Sequence, residues 1–579
     1  MTHSRLRLVP LAFLVLVAAA PRAAAAQAAK TTTAAASLPW DARAVEHLLN
    51  RAGFGATTAD VDAALALGRE ALLARLFSGF APDPEPFEIS EPERPTPEER
   101  RAMTEEQRKT AYRRVRREDN AQLVEYAGWW LDQMTGQRNP LRERMVLFWH
   151  GFFTSSAKEV KNGEAMIRQN QLFREHALGS YADLLHAIVR DPAMLAYLNN
   201  TKNTRAAPNE NFARELMELF SLGEGHYSET DVKEAARALT GNMGRDARFV
   251  FNRRQHDAGN KSVLGVSGAL DADQLVDILL AQPACPRWVS AKLLEHFEGR
   301  TPPKARVEEY AKFLREKKYR VDAFLRKLFD DPAFYSPEVV GQRIVGPVEF
   351  MVANCRRLGV SPPGGVIAAG ASQLGQQVFG PPNVKGWDGG RAWITTSTFL
   401  QRGNLVGMLL GVTSAEDIFK EDPALFAEAD EPMSGSEEGA MEPAPGAEDG
   451  GEMQPAPPSG PENRKGKARK PGFQGEKGLG GAGLRLMESS RWRRDLDLRD
   501  RCRTLGAQSD EAIVDRLAAD LLAVELSAEA RVALVEYVRG ERVSLGIEAG
   551  QLLEKKAYGE ATLRELAHLI LSLPEAQLN

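Results

Sequence analysis

Two glutamates and a histidine near position 220 have the residue types and the spacing of a reactive site. Glu215 and Glu218 are three residues apart, and His226 follows them in a glycine-bearing turn. On a helix this spacing makes the two carboxylates neighbours on one face. Two carboxylates with a nearby imidazole can share a proton or hold a metal ion. The spacing matches neither a zinc-protease helix nor an EF-hand loop, so it assigns no particular metal.

The same acidic stretch also has a purely structural interpretation. Arg214 is four residues from both Glu210 and Glu218, and this spacing allows it to form an ion pair with either acid. An αα-hairpin with an outer face of such ion pairs needs no reaction to explain its charges. The two interpretations differ in whether the charged face borders a cleft, and the sequence leaves both open.

Three other segments carry side chains suited to catalysis or binding. His150 ends an apolar helical run, where an imidazole is either a core group or a rigidly held ligand. Residues 256–257 are a His-Asp pair in a polar loop. The irregular loop 381–393 either wraps the core or lines a binding surface, where tryptophan could stack on sugars and lysine could meet an anion. The catalytic candidates are therefore Glu215, Glu218, His150 and His226, and the binding candidates are Arg214, Arg237, His256, Asp257, Lys385, Trp387 and Trp393.

Two short amphipathic helices must position the central acidic residues. The first is predicted over residues 209–222, with Asn209 as its cap and the apolar side chains on one arc. Ser228 and Asp231 form a capping box that predicts a second helix ending at Gly241. Alanines on the buried stripe of the second helix predict close contact between helices.

Helical periodicity extends over most of the remaining chain. The predicted fold class is therefore mainly α: a large multi-helix body built from αα-hairpins, with little or no sheet and one long disordered insert. Only residues 248–252 have the pattern of a short strand or extended arm. The predicted domains are a main helical domain over 41–425 with a charged insert near 82–120, a disordered low-complexity insert over 426–484, and a C-terminal helical segment over 485–579 that packs on the main domain.

The first residues have the pattern of a secretory signal peptide. Arg5 and Arg7 precede the apolar run 8–20, and small residues at 24–26 offer a cleavage site. We expect a signal peptide over 1–26, a linker over 27–40, and an exported chain that is periplasmic or extracellular, with no transmembrane segment after cleavage. A net charge of −5 over 579 residues gives no electrostatic argument for a nucleic-acid partner. The three cysteines form no C-x-x-C motif; one disulfide with a free thiol is an alternative, and three buried thiols are the favoured prediction.

Several motifs resemble one bacterial protein family. The strongest is the segment 209–227, with the sequence NENFARELMELFSLGEGHY. Further segments with the same resemblance are 47–55, 142–153, 168–174, 234–241, 256–257 with Lys261, and 381–390 with Trp393. Together they are similar to the family catalogued as domain of unknown function 1800, over roughly 41–412 and 486–579. Asn242 departs from the family pattern, which usually has tryptophan after Leu-Thr-Gly.

The resemblance implies an exported, mainly helical protein, often encoded beside an exported sulfatase-like protein. It implies no activity and no cofactor. Two functions follow as hypotheses, and the sequence leaves open whether the protein is an enzyme. The favoured one is an accessory or binding protein that works with a sulfatase-like exported partner, and with polysaccharide, at the cell envelope. The alternative is a metal- or carboxylate-dependent hydrolase acting on extracytoplasmic polymer.

Overall fold

Helices account for nearly all the regular structure of this chain. A computed structural model describes residues 40–413, 492, 496–504, 506–548 and 551–579. In these ranges there are 23 α-helices and two small antiparallel hairpins, so the predicted mainly α fold is confirmed. Residues 1–39 and the whole of the predicted 426–484 insert lie outside the described residues.

The helices are numbered here in chain order. Those of the first half are α1 (Ala42–Ala52), α2 (Thr58–Leu67), α3 (Arg69–Ser78), α4 (Pro97–Ala102), α5 (Glu105–Gly136), α6 (Pro140–Phe152), α7 (Ala157–Val160), α8 (Gly163–His176), α9 (Tyr181–Ile188), α10 (Pro192–Tyr197), α11 (Asn211–Glu218) and α12 (Glu229–Ala238). Those of the second half are α13 (Ala272–Ala281), α14 (Ala284–Glu298), α15 (Lys304–Glu316), α16 (Val321–Phe329), α17 (Pro347–Leu358), α18 (Gly364–Gln373), α19 (Thr396–Leu410), α20 (Leu498–Thr504), α21 (Asp510–Leu521), α22 (Ala528–Ser544) and α23 (Lys556–Leu571).

Two β-hairpins interrupt the helices after α12. Strand β1 (Asn242–Arg245) pairs with β2 (Arg248–Phe251), and β3 (Lys261–Val263) pairs with β4 (Val266–Gly268). The pattern at 248–252 therefore corresponds to a strand. Its partner strand was not predicted, because a four-residue strand with a half-buried pattern carries little periodic signal.

The central helix α11 is shorter than the predicted 209–222. Asn209 lies outside the helix and accepts a hydrogen bond from the Asn211 N–H at 3.1 Å. After Glu218 the Phe220 N–H donates to the Glu215 carbonyl, five residues back, which widens and ends the helix. Gly223 then turns with φ of +82° directly under Trp288, where a Cβ atom would lie 2.8 Å from the indole ring. A side chain at 223 would clash with that ring, so glycine is required there.

The second helix of the pair agrees with the sequence pattern. Ser228 and Asp231 form the predicted capping box at the start of α12. Val232, Ala235 and Ala236 are fully buried, as the small-residue stripe indicated. The three cysteines are also buried and unpaired, as predicted.

The aromatic core surrounds α5 and α6. The first half of α5 is exposed and charged, whereas Tyr126 and Trp130 in its second half are fully buried. Gly128 of α5 faces Gly364 of α18 so closely that a Cβ atom on Gly364 would lie 1.9 Å from the Gly128 carbonyl oxygen. Glycine thus lets the two helix backbones touch. No helix in the described part of the chain is long and apolar enough to cross a bilayer.

A buried ion cluster joins segments that are far apart in sequence. Glu349 at the start of α17 is 5% exposed and accepts hydrogen bonds from Arg144 of α6 and from Arg343. Burial alone would raise the pKa of Glu349, but the two guanidinium groups hold it well below its usual range. Arg144 also donates to the carbonyl oxygens of Asn50 and Gly53. These hydrogen bonds attach the end of α1 to the ion cluster.

The last residues of the chain are held by two other buried arginines. Arg51 donates to the carbonyl oxygens of Val339 and Asn579 at 2.9 and 3.0 Å. Arg402 donates to Gln577 Oε1 and to the Val345 carbonyl, each at 2.8 Å. Residues 577–579 therefore pack against segments near positions 50, 340 and 400.

We predict that Glu349→Gln destabilises the protein by roughly 3–5 kcal/mol, because it leaves two buried guanidinium groups without their carboxylate. Urea unfolding, followed by circular dichroism, measures the change. Glu316→Gln, at the exposed end of α15, should change stability by no more than about 0.5 kcal/mol. Equal effects of the two substitutions would show that the buried cluster does not contribute as argued.

Candidate functional site

Glu215 and Glu218 lie side by side on the half-buried face of α11. Phe212, Leu216 and Met217 of the same helix are fully buried, so packing fixes the direction in which the carboxylates point. Glu218 Oε2 accepts a hydrogen bond of 3.0 Å from the hydroxyl of Tyr227, in the turn before α12.

Two more side chains, Lys385 and Tyr197, interact electrostatically with Glu215. Burial raises the pKa of Glu215, the charge of Glu218 raises it further, and Lys385 acts in the opposite direction. Burial also raises the pKa of Tyr197, at the end of α10, and the charges of Glu159 and Glu215 raise it further. We call Glu215, Glu218, Tyr197, Tyr227 and Lys385 the carboxylate patch.

The loop that carries Lys385 is held firmly against the end of α6. Thr154 donates a hydrogen bond from its hydroxyl to the Val384 carbonyl. Gly386 has φ of +82°, and a Cβ atom there would lie 2.5 Å from the Gly151 carbonyl oxygen. The loop can approach α6 this closely only with glycine at 386, and from this loop the exposed Lys385 acts electrostatically on Glu215 of α11.

Trp387, on this loop, packs against His150 of α6. Their rings are 5.8 Å apart, and His150 is 1% exposed. Its Nε2 accepts a hydrogen bond from the Phe379 N–H at 3.0 Å, and burial lowers the pKa of His150 to about 3. The neutral imidazole is therefore a part of the core that fixes the loop. Trp387 is half-buried, with an indole N–H that has no hydrogen-bond partner among the described residues.

The other candidates lie in different surroundings. Trp393 ends a 3₁₀ turn and packs at the start of α17, where a Cβ atom on Gly346 would lie 3.6 Å from its indole nitrogen. His226 is exposed in the turn between α11 and α12. Arg214 forms two hydrogen bonds of 2.7 Å to Glu229 and one of 3.3 Å to Glu210, so it joins the two helices. The pairing with Glu229 was not expected from the sequence.

Arg237 and Asp257 belong to a separate cluster at the end of α12. The Arg237 Nε donates to Asp257 at 2.7 Å, and the same guanidinium donates to Glu234. His256 Nδ1 lies 2.9 Å from the Thr240 carbonyl oxygen. These contacts hold the loop before β3 against α12, so the residues are engaged in the fold at a place other than the carboxylate patch.

The comparison with known families agrees with the motifs. A family model described as "Protein of unknown function (DUF1800)" matches residues 47–578. The chain belongs to this family. No curated protein and no solved structure matches the chain. The family assignment covers nearly the whole DUF1800 chain and adds no reaction to it.

The candidate residues of this DUF1800 protein do not form a single centre of metal ligands. Within the described ranges there is no group of three or more His, Cys, Asp or Glu residues placed to hold a metal ion. What the fold does bring together is the glutamate pair with two tyrosines and one lysine. Tyr197 and Tyr227 were missed as site residues, although Tyr227 ends the strongest motif and could have been included on that ground.

A buried acid supports the helix that carries Tyr197. Asp191 caps α10 by accepting a hydrogen bond from the Met194 N–H at 2.7 Å, and it accepts another from Gln169 at 2.7 Å. Burial nevertheless raises the pKa of Asp191 to about 7, because it outweighs these two hydrogen bonds. The folded state therefore retains a proton that the unfolded chain releases near the ordinary value of 3.8.

We predict that the contribution of Asp191 to the stability of this DUF1800 protein falls as pH rises from about 4 to about 7. The contribution of Asp191 is complete below the unfolded pKa and is lost as pH approaches the folded one, by at most roughly 4 kcal/mol. Asp191→Asn should remove this part of the slope in urea unfolding between pH 4 and 8, whereas Glu316→Gln should retain it. An identical slope in Asp191→Asn and the unaltered protein would contradict the assignment.

Proposed function

We propose that the protein is an exported binding protein for polysaccharide, and that the carboxylate patch is its ligand surface. The observation that supports this best is the half-buried glutamate pair with the Tyr227 hydroxyl and Lys385 at its edge. Carboxylate oxygens accept hydrogen bonds from sugar hydroxyl groups, and tyrosine and lysine donate them. Trp387, on the same loop as Lys385, is half-buried and adds an apolar ring surface.

Binding is favoured over histidine-dependent catalysis because of the positions of the imidazoles. His150 is buried and neutral, and it already uses one nitrogen to hold Phe379. His226 is exposed and is not fixed by packing. Neither arrangement resembles a base held by a second group at hydrogen-bond distance from a substrate.

We predict that Glu218→Gln and Glu215→Gln each weaken the binding of neutral oligosaccharides by about tenfold or more, since a hydrogen bond to a charged group contributes roughly 1.5–3 kcal/mol. Calorimetry with dextran- and cellulose-derived oligosaccharides measures this. The isosteric change keeps the helix, and Glu316→Gln is the matched control on α15. Binding that is unchanged in both patch variants, or undetectable in the unaltered protein, would refute the carboxylate patch as a sugar surface.

A carboxylate-dependent hydrolase is a second candidate, favoured by one observation. The pKa of Glu215 is raised by burial and by Glu218, which is how a general acid is separated from a neighbouring carboxylate in glycoside hydrolysis. The same oligosaccharides, assayed for new reducing ends after long incubation, distinguish the two candidates. Cleavage that disappears in Glu215→Gln supports the hydrolase, and binding without cleavage supports the binding protein.

We further propose that the protein acts with a sulfatase-like exported partner at the cell envelope. The support is the signal-peptide pattern of residues 1–26 together with the resemblance of the motifs. We predict that the chain is found in the extracytoplasmic fraction without residues 1–26, and that affinity purification from native envelope extracts recovers such a partner. An intact cytoplasmic chain, or repeated recovery without any sulfatase-like protein, would contradict this prediction.

A further inference from the structure

The first half of α5 carries an uninterrupted run of basic residues. Six lysine or arginine residues lie between positions 108 and 117, with no acidic residue among them. Glu105 and Glu106 precede the run at the start of the helix, where carboxylates complement the helix dipole, and Glu118 follows it. The six residues are Arg108, Lys109, Arg113, Arg114, Arg116 and Arg117.

Four of these side chains share one face of the helix. At 100° per residue, they fall within an arc of about 100° and extend over about 12 Å of the helix axis. We call these four, Lys109, Arg113, Arg116 and Arg117, the basic stripe. The other two are used by the fold, since Arg108 donates to the Met103 carbonyl at 3.2 Å and Arg114 donates to the Glu93 carbonyl at 2.9 Å.

The guanidinium groups of the basic stripe can be reached from solvent. Arg113 and Arg117 are exposed, and Arg116 is half-buried. None of the three has an ion-pair or hydrogen-bond partner among the described residues. Lys109 contacts Glu105 at 2.8 Å, but both side chains are exposed, and such a pair contributes little in water. An anion could therefore bind these donors without opening the core.

The helix face that carries the basic stripe is covered by the protein body only further along. Roughly five turns after the stripe, positions on the same face are occupied by Ala127, Leu131 and Met134, which are buried. In that half α5 packs against α8 and α18. No residue of α5 before Asp119 is buried. The charges of the stripe thus begin where the packing ends, and the packing does not account for them.

The stripe suits an anionic polymer that is built of rings. Like charges three or four residues apart repel each other, and anionic groups spaced along a polymer would offset that repulsion. Tyr112 borders the stripe and is 57% exposed, so its ring offers a face on which a sugar could pack. A lipid surface fits less well, because a membrane-binding helix presents a broad apolar face, and only Tyr112 and Val124 of α5 are large, apolar and exposed.

We propose that the basic stripe binds an anionic polysaccharide, whose sulfate or uronate groups pair with Arg113, Arg116 and Arg117 while one of its rings packs on Tyr112. This site is separate from the carboxylate patch, whose own charges disfavour an anion. It would give the protein an attachment to acidic polymer in addition to the function proposed above.

The test is calorimetric titration of the chain without residues 1–26 with three polysaccharides. Dextran sulfate carries sulfate groups, oligogalacturonate carries carboxylates, and unmodified dextran carries neither. The stretch 428–452 of this chain is itself rich in Asp and Glu and would compete for the stripe, so it is retained in the protein. Co-sedimentation with vesicles of phosphatidylglycerol and phosphatidylcholine tests the lipid alternative in parallel.

Two variants remove the proposed contacts. The double change Arg113→Gln with Arg117→Gln should weaken binding of at least one anionic polysaccharide about tenfold, the effect expected of two exposed ion pairs. Tyr112→Ala, which alters no charge, should weaken the same binding about threefold. The matched control is Arg75→Gln with Arg516→Gln, which removes two exposed cations from α3 and α21 and should bind as the unaltered protein does.

Each outcome supports or overturns the inference. A loss with oligogalacturonate alone assigns uronates, and a loss with dextran sulfate alone assigns sulfated sugars. Equal affinities of the double stripe variant and its control, unchanged affinity in Tyr112→Ala, or no anionic binding by the unaltered protein would overturn it. Vesicles that bind through the stripe when the polysaccharides do not would also overturn it. Glu218→Gln should retain anionic binding, so failure of the carboxylate patch and failure of the stripe are seen separately.

Discussion

The buried contact of Glu349 with Arg144 and Arg343 is the constraint on which the arrangement of this protein depends. A carboxylate that is 5% exposed, with two guanidinium groups around it, is stable only if all three are held at hydrogen-bond distance. Arg144 extends this requirement to the end of α1 through two backbone carbonyls. The cluster therefore fixes α1, α6 and α17 together, and no local preference of any of these segments could do so.

Helix α6 connects the ion cluster to the carboxylate patch. Arg144 of this helix enters the ion cluster, and His150 and Gly151 at its end support the loop that carries Lys385. Arg144 and Gly151 are separated by seven residues, or about 10 Å along the helix. The ion cluster and the support of the Lys385 loop thus belong to one rigid helix, most of which is buried.

The parts of this structure that were predictable from the sequence are those set by local contacts. Capping residues such as Ser228 satisfy nearby N–H groups, so they mark helix starts within a few residues. The Arg214–Glu229 pair and the placement of Lys385 beside Glu215 depend on how distant segments pack, and no spacing rule encodes them. The contacts at the end of α11 have the same origin, because Trp288 of the distant helix α14 donates to the Leu219 carbonyl at 2.8 Å and covers Gly223.

An N–H donor without a hydrogen-bond partner indicates a ligand site only if a ligand can reach it, as the buried arginines of this protein show. Arg402 also has an unpartnered Nε, but its two terminal nitrogens bind Gln577 and the Val345 carbonyl, and it is 0% exposed. No ligand could reach that nitrogen without opening the core, so its cost is one that the packing around it must offset. Arg174 has the same kind of deficit, because its Nε and one terminal nitrogen are buried while the guanidinium pairs with Glu143 and Tyr126. Neither arginine therefore offers a donor that a ligand could reach, and the cost of each is offset by packing and by its paired nitrogens.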